Sequence, residues 1–464
     1  MSTLFSSRPT RKSGSVSPPS DAGPPAARPQ GAALTWVQTV LDRPLASYHL
    51  VLASAGMLLA LGVLMVLSAS SVYAYVHNGG DSYYFVKRQL VFLVVGLVFA
   101  VVMSRLSPSK LRVLGWVGLF LAMILLVLTY TPMGVMINGN RNWLQLGTPA
   151  LQLQPSEFAK LAVVVWSADV LARKEKLLDQ PKHLLIPYLP VTGLVIMMIV
   201  FQGDAGTAVV MAGIVAVTLW IVGAPMRVFL GLGLVGVAGV VTLFATSGNR
   251  MRRLAAFLNP SSDVAGANLQ GTVGMYAIAS GGWWGVGLGA SRQKWGSLPE
   301  AHTDFIFAVI GEELGLFGSL AVLALFLVLG YAGIRIALRS DDAFSRFAAA
   351  GVTAWFMVQA LINLGVVLRL LPIAGVPLPL VSYGGSALLA NLGALGLLVA
   401  CARNEPAARA ALQRARRRSM PRMTTVIGSR GGPAKPPATT RRTTSQRGSR
   451  RASSARGTQS RGSR

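Results

Sequence analysis

A chain of 464 residues that is 52% hydrophobic and only 13% charged is not an ordinary soluble enzyme, in which about a quarter of residues carry charge. Apolar runs free of charge recur from Leu50 to Cys401, which leaves no room for a separate soluble domain and points to an integral membrane protein. The formal charge of +27 lies mostly in one tail, where residues 403–464 hold seventeen basic residues against one acidic.

That tail lacks the aromatic side chains on which single-stranded nucleic acid stacks. Membrane lipids or acidic partner proteins, not nucleic acid, are therefore its expected partners. Residues 1–48 are rich in Ser, Pro and Ala and have no apolar core near the start, which predicts a disordered cytoplasmic arm followed by an uncleaved anchor helix. Cys401 is the only cysteine, so neither an internal disulfide nor a thiolate metal site is expected.

In chain order, apolar windows predict spans at 50–70, 90–103, 113–130, 158–171, 184–201, 207–222, 228–244, 305–329, 347–368 and 387–401. Several fall short of the roughly 20 residues a spanning helix needs, so their ends extend into the flanks. The expected fold class is all-α, a polytopic membrane protein of about ten transmembrane helices. It fills residues 49–402, and residues 403–464 form a basic disordered cytoplasmic tail.

Lys and Arg in the short loops place both termini inside. Arg105, Lys110 and Arg112, then Arg173, Lys174, Lys176 and Lys182, then Arg227, then Arg335, Arg339 and Arg346 share one side with the basic tail. Residues 246–304, between the seventh and eighth helices, then form a large extracytoplasmic loop, and long ordered loops usually bind or catalyse. Its stretch 280–289 reads SGGWWGVGLG. With no preceding strand and no Walker lysine, these glycines read as tight turns at the membrane interface, with Trp283 and Trp284 as anchors, and not as a nucleotide site.

The loop ends in LPEAHTDFIF, followed on the same predicted helix by Gly311-Glu312-Glu313-Leu314-Gly315. Asp304 sits where the loop enters the helix and reads either as an N-cap or as a functional acid. Glu312 lies about 12 Å deeper along a helix, and acids at that depth must pair or line a wet cavity. QPSEFAK opens the fourth helix and puts Glu157 and Lys160 on one face, where they neutralise each other or shape a polar cavity. Further polar strings, 138–143 with Arg141, 202–207, and 377–386 with Ser382, fall on the same outer side. Their convergence suggests an extracytoplasmic site.

Together, LPEAHTDFIFAVIGEELG, QPSEFAK, QGDAGT and GVPLPLVSYGGSA resemble the SEDS family of shape, elongation, division and sporulation proteins, over residues 49–402. The Glu300-Ala301 form and Gly311-Glu312-Glu313 look most like its division members. The resemblance implies a polymerase in the plasma membrane at the division septum, joining lipid II units into glycan strands of peptidoglycan on the outer surface. It also implies a class B penicillin-binding protein and other division proteins as partners. It puts the family's essential acid on Asp304, its fourth-helix glutamate and lysine on Glu157 and Lys160, and its SYGG turn on Ser382 to Gly385. There are departures: Asn142 stands where the family often has Arg before Trp, with Arg141 one position earlier. Gly203 replaces a usual proline, and Val273 a glutamine.

Glycosyl transfer from a diphosphate-linked sugar needs an acceptor hydroxyl partly deprotonated and a leaving diphosphate stabilised. Asp304 is the expected base, and Arg252, Arg253, Arg292 and Lys294 are candidates to offset the leaving charge. The sequence indicates no cofactor other than an optional divalent cation, Mg or Mn. His302 is expected to orient or hydrogen-bond, not to ligate metal. Two other readings stay open. One is a flippase or transporter of the same lipid, against which stand the lack of an internal repeat and a key motif at the outer boundary. The other is a non-catalytic scaffold for a class B penicillin-binding protein, which predicts that Asp304 tolerates replacement by Asn.

Overall fold

Long apolar stretches without a mid-helix proline fold as helices, because hydrocarbon offers backbone groups no partner outside the chain. The computed structural model describes residues 39, 41–137, 139–145, 147, 152–177, 180, 185–245, 248–259, 268–295 and 298–419, excluding the side chains at 243–245, 249, 250, 252–254 and 416–419. The chain falls into two units, residues 1–416 and 417–464, and the elements below belong to the first apart from the last residues of the final helix.

They run α1 (Ala46–His77), α2 (Tyr84–Arg105), α3 (Pro108–Leu128), β1 (Gly134–Ile137), β2 (Asn140–Gln145), β3 (Gln152–Leu153), α4 (Pro155–Arg173), α5 (Tyr188–Phe201), α6 (Ala205–Val222), α7 (Met226–Ala245), α8 (Gly248–Leu258) and α9 (Leu269–Gly281). Then follow α10 (Ile306–Arg339), α11 (Ala343–Val367), α12 (Gly385–Asn404) and α13 (Pro406–Ser419). Each predicted window falls on one of these helices. Seven of the described helices, α1, α2, α3, α6, α10, α11 and α12, are long and apolar enough to cross a membrane, and α5 and α7 are apolar but shorter. The protein is a multi-pass membrane protein.

Local chemistry sets several ends. Pro108 and Pro155 occupy the first turns of α3 and α4, where a missing N–H costs nothing. Asp204 caps α6 by accepting from the Thr207 N–H at 3.0 Å, and Gly223 ends that helix in the left-handed conformation. Asp342 caps α11 through the Ser345 N–H.

The centre is α4, α11 and α12, whose residues are mostly buried. Around it, α2 packs on α12, α3 on α4, α6 and α10 on α11, and α1 on α10. α4 carries Glu157, Lys160 and Asp169 in its buried set, too much charge for a lipid-facing span but compatible with a core helix whose charges are paired.

Four features depart from the sequence expectation. The three strands form a small antiparallel sheet ordered β1-β2-β3, and the Asn-Gly dipeptide between the first two is a hairpin signal in the sequence. The outer loop holds α8 and α9. Past Asn404, in the stretch read as disordered tail, residues 406–419 form α13, which starts at Pro406 and is rich in Ala and Arg, both good helix formers.

The fourth feature is a broken helix. Inside α10, Gly315 has φ 66° and ψ −161°, so the ladder is interrupted between Ile306–Leu314 and the long remainder. The Gly-rich stretch after α9 repairs the break: Val286 and Gly287 N–H groups donate to the Glu312 and Glu313 carbonyls at 2.9 and 3.1 Å. In return Leu316 N–H donates to the Gly282 carbonyl at 2.9 Å. This exchange needs backbones in contact, since a Cβ at Gly281 would lie 1.9 Å from the Gly311 oxygen. The glycines thus dock a loop on a helix break, while Trp283 and Trp284 are exposed. Gly281→Ala is expected to cost about 1–3 kcal/mol of overpacking, read as a lower melting temperature in detergent. Gly236→Ala, with open space around it, is expected to leave melting unchanged or slightly raised.

Candidate functional site

Between α11 and α12 the chain does not run over the surface. Val376, Leu378, Leu380 and Val381 are all nearly inaccessible, and at the middle of α1 a Cβ on Gly62 would meet the Val381 oxygen at 2.7 Å. Non-helical backbone at such depth must find hydrogen bonds inside the protein. Two amides one turn apart on α11 supply them. Gln359 Nε2 donates to the Pro377 carbonyl at 2.8 Å, and Asn363 Nδ2 donates to the Val376 carbonyl at 2.7 Å. Ser382, a candidate for substrate contact, instead accepts from the Leu378 N–H at 2.8 Å and closes the turn.

The same Asn363 amide reaches the Asp304 carbonyl at 2.8 Å. One side chain thus ties the acid-bearing turn to the buried segment. Asp304 is half-buried and stands one residue outside the capping position of α10, which Phe305 occupies. Its Oδ2 lies 3.6 Å from where a Cβ on Gly375 would sit. A second tie joins the two segments, Tyr383 N–H donating to the His302 carbonyl at 3.0 Å. The His302 ring lies within 4.8, 5.6 and 5.8 Å of the Phe85, Tyr383 and Tyr73 ring centres. Burial there holds the imidazole below its usual value, with Glu300 pulling the other way. Burial likewise raises the Tyr383 phenol, opposed by Arg88 near the start of α2.

Beneath this wall, Lys160 and Glu157 form a buried ion pair at 2.8 Å. Lys160 Nζ also donates to Gln359 Oε1 at 2.8 Å, where Trp355 Nε1 donates at 2.7 Å. The pair therefore orients the amide that holds the Pro377 carbonyl.

Glu312 and Glu313 clasp the outer loop. Glu312 accepts from Ser291 Oγ and from the Arg292 N–H at 2.8 Å. Glu313 accepts from Ser68 Oγ at 2.6 Å and pairs with Lys294 at 3.3 Å, both side chains being buried. Lys294, expected to meet the leaving diphosphate, is thus engaged with Glu313, while the Arg292 side chain is exposed. Arg252 and Arg253 lie on α8, but their side chains are outside the described residues.

The third polar string joins the strands. Asn142 Nδ2 and Gln154 Nε2 both donate to Asp204 Oδ2, at 3.0 and 3.1 Å. Arg141 donates to the Thr131 carbonyl at 2.8 Å, so the departure at Asn142 exchanges a cation for an amide that holds a helix cap. Among the described residues, no three His, Cys, Asp or Glu side chains gather as a metal site.

Sequence reasoning missed Gln359, Asn363 and Arg88. The amide pair spaced four apart in an apolar helix was the available signal. Asn363→Leu leaves two carbonyls without a donor and is expected to cost about 2–4 kcal/mol, with faster amide exchange around residues 302–306. Lys294→Met strands a buried carboxylate and is expected to cost about 3–5 kcal/mol. Adding Glu313→Gln should recover at least half of that loss in a thermal-melting double-mutant cycle.

A family model described as a cell cycle protein, named for FtsW, RodA and SpoVE, matches residues 48–406. A Mycobacterium tuberculosis protein named probable peptidoglycan glycosyltransferase FtsW is 38% identical over 400 residues, 86% of this chain and 75% of that one. Stage V sporulation protein E of Bacillus subtilis is 39% identical over 344 residues, 74% of this chain and 93% of that one. Among solved structures, a chain from a peptidoglycan synthase complex that coordinates polymerization and crosslinking superposes with TM-score 0.63 at 29% identity, covering 77% of this chain and 97% of that one. The Thermus thermophilus rod shape determining protein RodA does so with TM-score 0.55 at 29% identity, covering 77% and 96%. With a family model spanning nearly the whole helical domain and relatives this similar over most of their length, the chain belongs to the FtsW, RodA and SpoVE family, the SEDS proteins.

Proposed function

We propose that this protein is a peptidoglycan glycosyltransferase that polymerises lipid II into glycan strands during cell division, with Asp304 as general base. The observation that carries the base assignment is the position of its carboxylate. It is half-buried on a turn gripped from below by Asn363 and from the side by the Tyr383 N–H, a fixed group at the mouth of a water-poor bundle. In the reaction the acceptor hydroxyl oxygen forms a bond to the anomeric carbon of the donor sugar, and the bond from that carbon to the lipid diphosphate breaks. The hydroxyl proton passes to Asp304, and the diphosphate leaves as an anion.

Asp304 faces outward in the orientation with both termini cytoplasmic, because the other end of the bundle carries Arg105, Lys110, Arg112, Arg173, Arg335, Arg339 and Arg403. Among the described residues, the basic side chains on the outer side include Lys87, Arg88, Arg141, Arg292, Lys294 and Arg369. A Mg or Mn ion at this end would have the Asp304 carboxylate as its one protein ligand and would be held mainly by substrate phosphates. It would supply charge for the leaving diphosphate. The named activity of the mycobacterial relative and the polymerising, crosslinking complex of the structural neighbour support a class B penicillin-binding protein as partner at the septum, with other division proteins reaching the basic tail.

The transporter reading draws on the break in α10 and the non-helical segment inside the bundle, features that transporters use at substrate sites. Polymerisation of purified lipid II with the cognate class B penicillin-binding protein separates the readings. Wild type is expected to make long strands and Asp304→Asn to lose at least about a hundredfold in rate, the span of general-base catalysis. Equal product from both would remove the base assignment. No product from either, with the complex intact, would favour transport or scaffolding.

A further inference from the structure

At the end of the bundle opposite Asp304, a cavity of about 450 Å³ opens between the start of α1, the ends of α2 and α12, and α13. Its lining is Leu45, Tyr48, Arg105, Arg403 and Leu412. A pocket with two guanidinium groups ordinarily places carboxylates beside them, but the ion pairs among the described residues include neither Arg105 nor Arg403. The nearby acids are committed elsewhere. Glu405 is buried beside the Ser47 hydroxyl, with Arg339 and Arg335 farther off, and Asp342 pairs with Arg112 at 2.9 Å. Arg403 donates one N–H to the Ser104 carbonyl, which fixes its fork beside the end of α2. Among the described residues, no carboxylate pairs with the charge in this cavity.

The rest of the lining says what kind of anion fits. Leu45 and Leu412 add apolar walls to the basic ones, which suits a phosphate attached to hydrocarbon better than a free ion. α13 is built to lie at a membrane surface: Ala408 is buried against the bundle while Arg409 and Arg414 are exposed, an apolar side inward and a basic side out. We propose that this pocket binds the phosphate of one anionic phospholipid headgroup, with Arg105 and Arg403 on the phosphate oxygens and α13 as its cover. The inner-leaflet location rests on the orientation proposed above, whereas the pocket chemistry is independent of it.

Native mass spectrometry of the full-length protein in detergent, titrated with phosphatidylglycerol, tests the site. Wild type is expected to hold one lipid roughly thirtyfold more tightly than R105Q/R403Q, the loss implied by removing two basic side chains near a membrane surface. K110Q/R227Q, an equal charge change at exposed positions outside the pocket, is expected to stay within about twofold of wild type. Equal weakening in both variants would overturn the site and leave only overall charge. Displacement of the lipid by equimolar inorganic phosphate would overturn the lipid assignment in favour of a free-phosphate site. R105K/R403K keeps the charge and separates lost binding from lost folding. It is expected to bind far more tightly than R105Q/R403Q, and binding equally weak would overturn the electrostatic assignment.

Discussion

Backbone that is neither helix nor sheet cannot sit inside a membrane domain unless side chains complete its hydrogen bonds. Everything at the candidate site follows from that constraint. The segment from Ala374 to Gly384 reaches the middle of α1, and its carbonyls are met by Gln359 and Asn363. Gln359 is in turn set by Lys160 and Trp355, and Lys160 is paired with Glu157 at 2.8 Å. A buried ion pair is often no more stabilising than apolar residues would be. Here its use is positional, since it fixes the amide that fixes the segment.

The same logic appears a second time at the break in α10. There glycine backbone satisfies the interrupted ladder, and the acids just before the break hold the returning loop through Ser291, the Arg292 N–H and Lys294. Glu313 also reaches Ser68 on α1, so loop, broken helix and first helix share one buried charge pair. Asp304 lies between these two constructions. Its turn is tied on one side to the buried segment through Asn363 and Tyr383, and on the other it begins the helix that the glycine loop braces. In the role proposed for Asp304 a carboxylate gains most from being held before substrate arrives, and two braces hold the backbone that carries this one.

The helical skeleton was legible in the sequence because hydrocarbon leaves so few options that composition alone marks each span. Glu157 and Lys160 were legible as a pair because three residues on a helix put them on one face. Legibility failed where partners are distant in the chain. Lys294 read as a free cation for a diphosphate, but Glu313 and Ser68 meet it only after folding. Ser382 read as a substrate contact, but its hydroxyl is used four residues away within its own turn. The pairing of β1 with β2 has a local signal in the Asn138-Gly139 dipeptide. GVPLPLV read as an outer loop because prolines suggest surface turns, and nothing local shows that such a segment is buried.

The two ends of the bundle handle charge differently. At the Asp304 end, several of the described charged groups are used against each other or against backbone, as Lys294 is by Glu313 and Arg141 by the Thr131 carbonyl. At the opposite end the fully buried Asp169 takes Trp116 and Arg173, both at 2.8 Å, and Arg112 continues to the cap of α11. The arginines left over there face a cavity with apolar walls. A membrane protein can leave cations unpaired only where water or an anion reaches them, since desolvated charge without a partner is too costly to keep. Arg105 is exposed and Arg403 partly so, which keeps both cations where water reaches them and where the proposed headgroup would replace that water.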